Sequence, residues 1–255
     1  MLNTELDMSS LSKASAILAC FTTEQTDLSV SYVSEKLALP KSSVSRLMKE
    51  MAELGLLQRG DGEREYGPGY MLFQLGAIYQ MRFDLIEVVD RIVRDLVKQT
   101  GCTGYIGLLD DGEIVAMRKH LGTDAVRYRI EVGRRYPVTY LSFGKALLSR
   151  RSDTEIMGFF TKYPKSRPAN MKVFLAEIAE IRAQGWAEAT KTSVQGAHGI
   201  GVAVISPLSR QQIGYSLSFH ADLMGSEQRR EVATALVNSA RQVATLIMDD
   251  YWQNV

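Results

Sequence analysis

Between Pro40 and Gly55 the chain carries Lys41, Ser42, Ser43, Ser45, Arg46 and Lys49 on one side of a periodic segment, with Val44, Leu47, Met48, Met51 and Leu54 on the other. Three hydroxyls, a guanidinium and two ammonium groups on one exposed face can donate to base edges and phosphates. A helix bearing them fits the roughly 12 Å major groove of duplex DNA. In that chemistry Ser42, Ser43, Ser45 and Arg46 read bases. Lys41 and Lys49 bind phosphates on either side, joined by Arg59 and Arg64 from the segment that follows. The same residues would equally make an ordinary solvated helix face. Residues 1–70 hold seven Lys/Arg against ten Asp/Glu, a net of −3, whereas DNA-binding domains are usually basic. The reading therefore rests on local placement, not on composition.

A second pair of groups lies far along the chain. Ser216 and Ser218 alternate within an apolar run, so on a strand both hydroxyls point to one face, where they can hold a carboxylate. Other chemistries lack their residues. His120, His198 and His220 are too scattered for a zinc spacing, and neither Cys-x-x-Cys nor His-Glu-x-x-His occurs. Gly144-Lys145 lacks the remaining residues of a phosphate loop, and there is no Gly-x-Ser-x-Gly nucleophile turn. No catalytic, metal or cofactor residues are assigned. Tyr128, Tyr136, Tyr140 and Phe143 read as core or interface aromatics.

The elements that must position these groups follow from periodicity. Leu11, Ala14, Ile17, Leu18 and Phe21 form the apolar face of a first helix over 11–21. Val30, Val33 and Leu37 form that of a second over 30–37, capped by Ser29 or Ser31. Pro40 opens a third over 41–54, and Gly55 ends it. Leu57, Arg59, Arg64 and Tyr66 then flank the turn Gly60-Asp61-Gly62 as in a two-stranded hairpin. Gly67-Pro68-Gly69 punctuates the chain, which gives a first domain over 1–69. Residues 70–100 read as a helical connector, and Leu72, Leu75, Ile78 and Tyr79 are too apolar for a free linker. The domain over 101–255 mixes strands and helices. Strands are expected over 103–110 and 113–120, joined through Asp111-Gly112, and again over 186–192, 199–206 and 213–219. Helices are expected over 143–149, 153–163, 173–184 and 226–251.

The 255 residues leave room for two cores, and 45% hydrophobic with 23% charged residues is ordinary for a globular protein. No apolar run approaches the roughly 20 residues of a membrane span, and the start lacks a secretory pattern, so a cytoplasmic chain without a membrane partner is expected. Cys20 and Cys102 read as reduced thiols.

The stretches SLSKASAIL, LALPKSSVSRLMKEMAELGLLQR and YGPGYMLFQLG, in that order, resemble the start of the IclR family of bacterial regulators. VGRRYPVTYLSFGKALLS, IRAQGWAEATKTSVQGAHGIGVAVISPL and IGYSLSF resemble its sensing core, so the likeness spans nearly the whole chain. It implies an α+β protein. A winged helix-turn-helix is followed by a linker helix and a GAF/PAS-like α/β effector-binding domain, assembled as a homodimer or tetramer on double-stranded operator DNA. It further implies a pocket beside Ser142, Phe143 and Gly144, where helix amides meet a small anion, with Ser216 and Ser218 opposite and Thr192 and Gly199 between them. Thr192 stands where the family usually has an acidic residue, Gly199 where it has a cysteine or similar small residue, and Gly201-Val202-Ala203 where it has Ala-x-Pro. Loss of the acidic charge points to a small carboxylate effector, and the nearby tyrosines to an aromatic acid. Two alternatives stay open: a constitutive DNA-binding dimer whose sensor holds no ligand, and an enzyme with an accessory helix-turn-helix.

Overall fold

The computed structural model describes residues 9–22, 24–60, 65–81, 84–123, 130–190 and 197–253. The chain divides into two compact units, Met1–Arg82 and Phe83–Val255. The stretch 70–100 is thus shared between them, its first helix in one unit and its second in the other.

The first unit contains α1 (Ser10–Leu18), α2 (Val30–Leu37), α3 (Lys41–Glu53) and α4 (Tyr70–Met81). A small antiparallel sheet of β1 (Leu28–Ser29), β2 (Leu57–Arg59) and β3 (Glu65–Pro68) has the order β1-β3-β2. Ser9 and Ser29 cap α1 and α2 by accepting from the amides of Ser12 and Tyr32. Between α2 and α3, Ala38 takes φ 52° and the Ser34 hydroxyl donates to Leu39 O at 2.6 Å, so three residues suffice to reverse the chain into α3. Ile17, Leu28, Val33, Val44, Met48, Met51 and Leu57 form the core.

Three expectations need correction here. Leu11 and Leu54 are 80% and 58% exposed, because each lies at a helix end beyond the reach of the packed stripe. The first helix stops at Leu18 instead of Phe21. Gly67 and Pro68 are not punctuation but part of β3, paired with Gln58 and Leu57. Gly69 is required by close approach, since a Cβ there would lie 2.1 Å from the Gly55 carbonyl oxygen.

The second unit is a three-layer sandwich. Its six-stranded antiparallel sheet comprises β4 (Thr103–Asp110), β5 (Glu113–His120), β6 (Arg135–Pro137), β7 (Ala187–Ala189), β8 (Ala197–Ile205) and β9 (Gln212–His220), in the order β6-β5-β4-β9-β8-β7. On one face lie α5 (Asp84–Thr100) and α9 (Ser226–Ile247); on the other lie α6 (Ser142–Ser149), α7 (Asp153–Lys162) and α8 (Met171–Gln184). Strand alternation sorts the residues. Ile200, Val202 and Val204 of β8 and Ile213, Tyr215, Leu217 and Phe219 of β9 meet α5 and α9. The opposite face then falls to Gly199, Gly201, Gly214, Ser216 and Ser218, small residues that let α6 approach closely. The strand expected over 186–192 is only β7, because pairing with β8 covers just Ala187–Ala189. The last helix ends at Ile247, not near 251, where Met248 turns left-handed at φ 58° and leads into a short turn that buries Trp252.

Candidate functional site

On α3, Lys41, Ser42, Ser45, Arg46 and Lys49 are exposed and Ser43 is half-buried, while Val44, Met48 and Met51 face inward. Pro40 is the N-cap and offers no side chain to the first-turn amides, and no acidic residue lies in that turn. The start of α3 therefore presents free N–H groups and the positive end of its dipole to solvent, which suits a phosphate. Lys41 and Arg46 have no ion pair among the described residues. Lys49 lies 3.8 Å from Glu53, an exposed pair of little strength. Arg59 projects from β2 over the Tyr66 ring, 5.7 Å from its centroid. Arg64 lies outside the described residues.

The second group converges beneath the start of α6. Pairing of β8 with β9 sets Gly199 opposite Ser218 and Gly201 opposite Ser216. A Cβ on Gly201 would lie 2.5 Å from Phe143 N and 2.8 Å from Ser142 Oγ, so the helix begins directly on the glycine backbone. A Cβ on Gly199 would lie 3.2 Å from Ser218 Oγ and 3.3 Å from Ser142 Oγ. A small cavity of about 10 Å³ results, lined among the described residues by Ser142, Ser216, Ser218, Gly199, Phe143 and the outer wall of Ile130 and Tyr140. Ser142, Ser216 and Ser218 are buried, and their hydroxyls have no hydrogen-bond partner among the described residues. The N-cap of α6, Leu141, provides no side-chain acceptor either. Hydroxyls that border the cavity can be satisfied by a water or a ligand within it. The free space admits about one water.

Two members of the expected pocket are placed differently. The Phe143 ring is core: a Cβ on Gly107 or Gly214 would lie 2.7 or 2.9 Å from it, so only the Phe143 backbone can face the cavity. Gly144 faces away, with a Cβ position 2.2 Å from Val138 O. Thr192 lies outside the described residues, as does Tyr128.

Residues 10–61 match the family model described as the IclR helix-turn-helix domain, and residues 77–245 match that described as the C-terminal domain of the bacterial transcriptional regulator IclR. The chain belongs to the IclR family. It is a DNA-binding transcriptional regulator with an effector-binding C-terminal domain. Among the relatives of this IclR-family chain is the HTH-type transcriptional regulator KdgR of Escherichia coli K12, 28% identical over 255 residues and covering 96% of each chain. Two crystal structures share the fold. IclR of Thermotoga maritima has a TM-score of 0.72 at 24% identity, covering 93% of this chain and 98% of its own. An IclR homologue of Microbacterium hydrocarbonoxydans complexed with 4-hydroxybenzoate has a TM-score of 0.75 at 21% identity, covering 92% and 100%.

Ionisable groups elsewhere in this IclR-family chain form structural pairs. Lys145, the residue after Gly144, donates to Glu177 Oε1 at 2.6 Å and to Glu188 O at 3.3 Å, tying α6 to α8 and β7. His120 bonds Asp90 at 2.7 Å, and His198 bonds Glu188 at 3.2 Å. Sequence reasoning missed Ile130 as cavity wall, since it lies in an irregular segment with no periodic pattern, and read Tyr140, which also lines the cavity, as a core or interface aromatic. It also missed the Arg150–Asp249 pair, 2.5 Å apart and buried, which fastens the far end of α6 to the segment after α9. Its members are 99 residues apart, and only the fold brings them together.

Proposed function

We propose that this regulator holds operator DNA through the first turns of α3 and that a small carboxylate, by preference an aromatic acid, bound beneath the start of α6 alters that hold. The observation that carries the effector reading is the convergence of Ser142, Ser216 and Ser218, three buried serines, on one cavity beside an uncapped helix start. Helix-end amides and hydroxyls are donors for an anion. A relative crystallised with 4-hydroxybenzoate supports the aromatic choice. Binding must displace the outer wall, where Tyr140 is 54% exposed. Titration with 4-hydroxybenzoate by calorimetry tests the site. The double substitution Ser216→Ala with Ser218→Ala is expected to weaken binding about tenfold or more, from the loss of charge-assisted hydrogen bonds. Unaltered affinity overturns the placement.

On DNA, Ser42, Ser43, Ser45 and Arg46 reach base edges, and Lys41, Lys49, Arg59 and Arg64 bind phosphates. Two recognition helices need one mount. Exposed Tyr70, Phe73, Leu75 and Ile78 on α4 support a homodimer joined through that helix, which analytical ultracentrifugation of Leu75→Asp would test by showing monomers. A second reading, a ligand-free sensor on a constitutive DNA-binding dimer, is favoured by the cavity's volume of only about 10 Å³. Absence of any heat with small carboxylates, together with intact operator binding, would select it.

A further inference from the structure

An open cleft lies at the other end of α6. This cleft of about 650 Å³ falls within the size range of small-molecule sites. Its walls are the β4–β5 turn, with Leu109 and Gly112, the α7 face, with Gly158, Phe159 and Tyr163, and the β8–β9 end, with Ile205 and Gln212. Four charged side chains other than Arg150 reach it. Glu155 is committed to the Ser152 amide and hydroxyl at 2.7 Å each. Lys162 lies 5.0 Å over the Tyr163 ring, and Asp111 is an exposed acid at the rim. Arg150 itself is neutralised by Asp249. Arg151 remains. Its guanidinium is half-buried and lies 5.0 Å over the Phe159 ring; the Glu155 carboxylate attracts it from a distance, but it forms no close ion pair or hydrogen bond among the described residues. Burial disfavours the cation more than the distant Glu155 carboxylate offsets, so an anion in the cleft gains a partly desolvated fork stacked on Phe159.

A second observation concerns Gly158. Glycine within a helix costs about 1 kcal/mol relative to alanine. Nothing lies within 4 Å of a Cβ placed there, so packing does not demand it. Its effect is to leave the α7 wall of the cleft open.

We propose that this cleft is a second ligand site, distinct from the cavity at the start of α6, that takes a small organic carboxylate with a flat apolar body. The carboxylate pairs with Arg151, and the body lies against Phe159, Tyr163 and Ile205. Ser142 and Arg150 are about 12 Å apart along α6, so one helix carries both sites at its ends.

The test uses the full chain with Ser216→Ala and Ser218→Ala, which removes the first site's hydroxyls, and benzoate as probe. Titration followed by ¹⁵N NMR is expected to shift the Gly112 and Gly158 amides and the Arg151 Nε–H saturably at millimolar benzoate. Adding Arg151→Met, which keeps an apolar stem on Phe159, is expected to raise the Kd about tenfold or more. Gly158→Phe is expected to abolish the Gly112 and Arg151 shifts by occupying the cleft without lowering the melting temperature. No saturable shift in the parent, or an unchanged Kd in Arg151→Met, overturns the proposal.

Discussion

Asp249→Ala tests the packing that fixes α6. The Asp249 carboxylate accepts from Arg150 Nη1 at 2.9 Å, from Arg150 Nη2 at 2.5 Å and from the Ile205 amide at 2.8 Å. Side-chain exposure is 8% for Arg150 and 4% for Asp249, so water replaces little of what is removed. Arg150 keeps only the Ala203 carbonyl at 3.1 Å and the Tyr251 ring, 4.0 Å from its centroid. A buried cation and a buried amide are then left without their acceptor, a loss of about 3–5 kcal/mol. For a unit of this size each kcal/mol lowers Tm by about 2–4 °C, so a fall of roughly 6–20 °C is expected. Thermal and urea unfolding of the full chain, read by circular dichroism, measure it. Arg150→Met combined with Asp249→Leu removes both charges and should recover most of the loss, because the pair's desolvation cost disappears with it. A loss below about 1 kcal/mol in Asp249→Ala, the value of an exposed pair, would refute the reasoning.

Other outcomes follow from the same geometry. Arg46→Ala is expected to cost about 1–3 kcal/mol of discrimination between operator and unrelated DNA, whereas Lys49→Ala weakens both alike; gel-shift titrations showing equal losses would contradict the assignment. Gly199→Ala puts a methyl 3.2 Å from Ser218 Oγ and 3.3 Å from Ser142 Oγ, so the protein should fold while 4-hydroxybenzoate affinity falls about tenfold or more; an unchanged Kd by calorimetry counts against the cavity. At Asp90, burial pushes the carboxyl pKa up, but hydrogen bonds from His120 and Arg94 outweigh it and hold the group below its ordinary value. A lowered folded-state pKa means that the stabilisation is complete above the unfolded value of 3.8 and is lost as pH falls through the folded value beneath it. Urea midpoints of Asp90→Asn should therefore decline less steeply than wild type below about pH 4; parallel acid limbs would sink the idea.

Much of the architecture was legible locally. The strands over 103–110 and 113–120 and the helix over 30–37 have the expected bounds, because alternation, helical periodicity and serine caps act within a few residues. Asp111-Gly112 was legible as a turn for the same reason: φ values of 46° and 83° match a two-residue hairpin turn that Asp and Gly tolerate. The face of α3 was equally legible, since a 3.6-residue period suffices to separate Val44, Met48 and Met51 from Ser42, Ser45 and Arg46.

The candidate effector site was legible only in part. Resemblance marked Ser142, Ser216, Ser218 and Gly199, which the fold does bring to one cavity, but it also marked Gly144, which faces Val138. Short strands such as β1 and β6 escaped because two or three residues carry no periodic signal and exist only through their partners. By itself, then, the sequence determined the helices, the long strands and which face of each is apolar, because those depend on neighbours within about four residues. Only the tertiary structure decided that Gly201 admits the start of α6, that Phe143 belongs to the core and that Arg150 meets Asp249. Those contacts join residues tens of positions apart, and their energies depend on burial and sheet register, which exist only once the layers have packed.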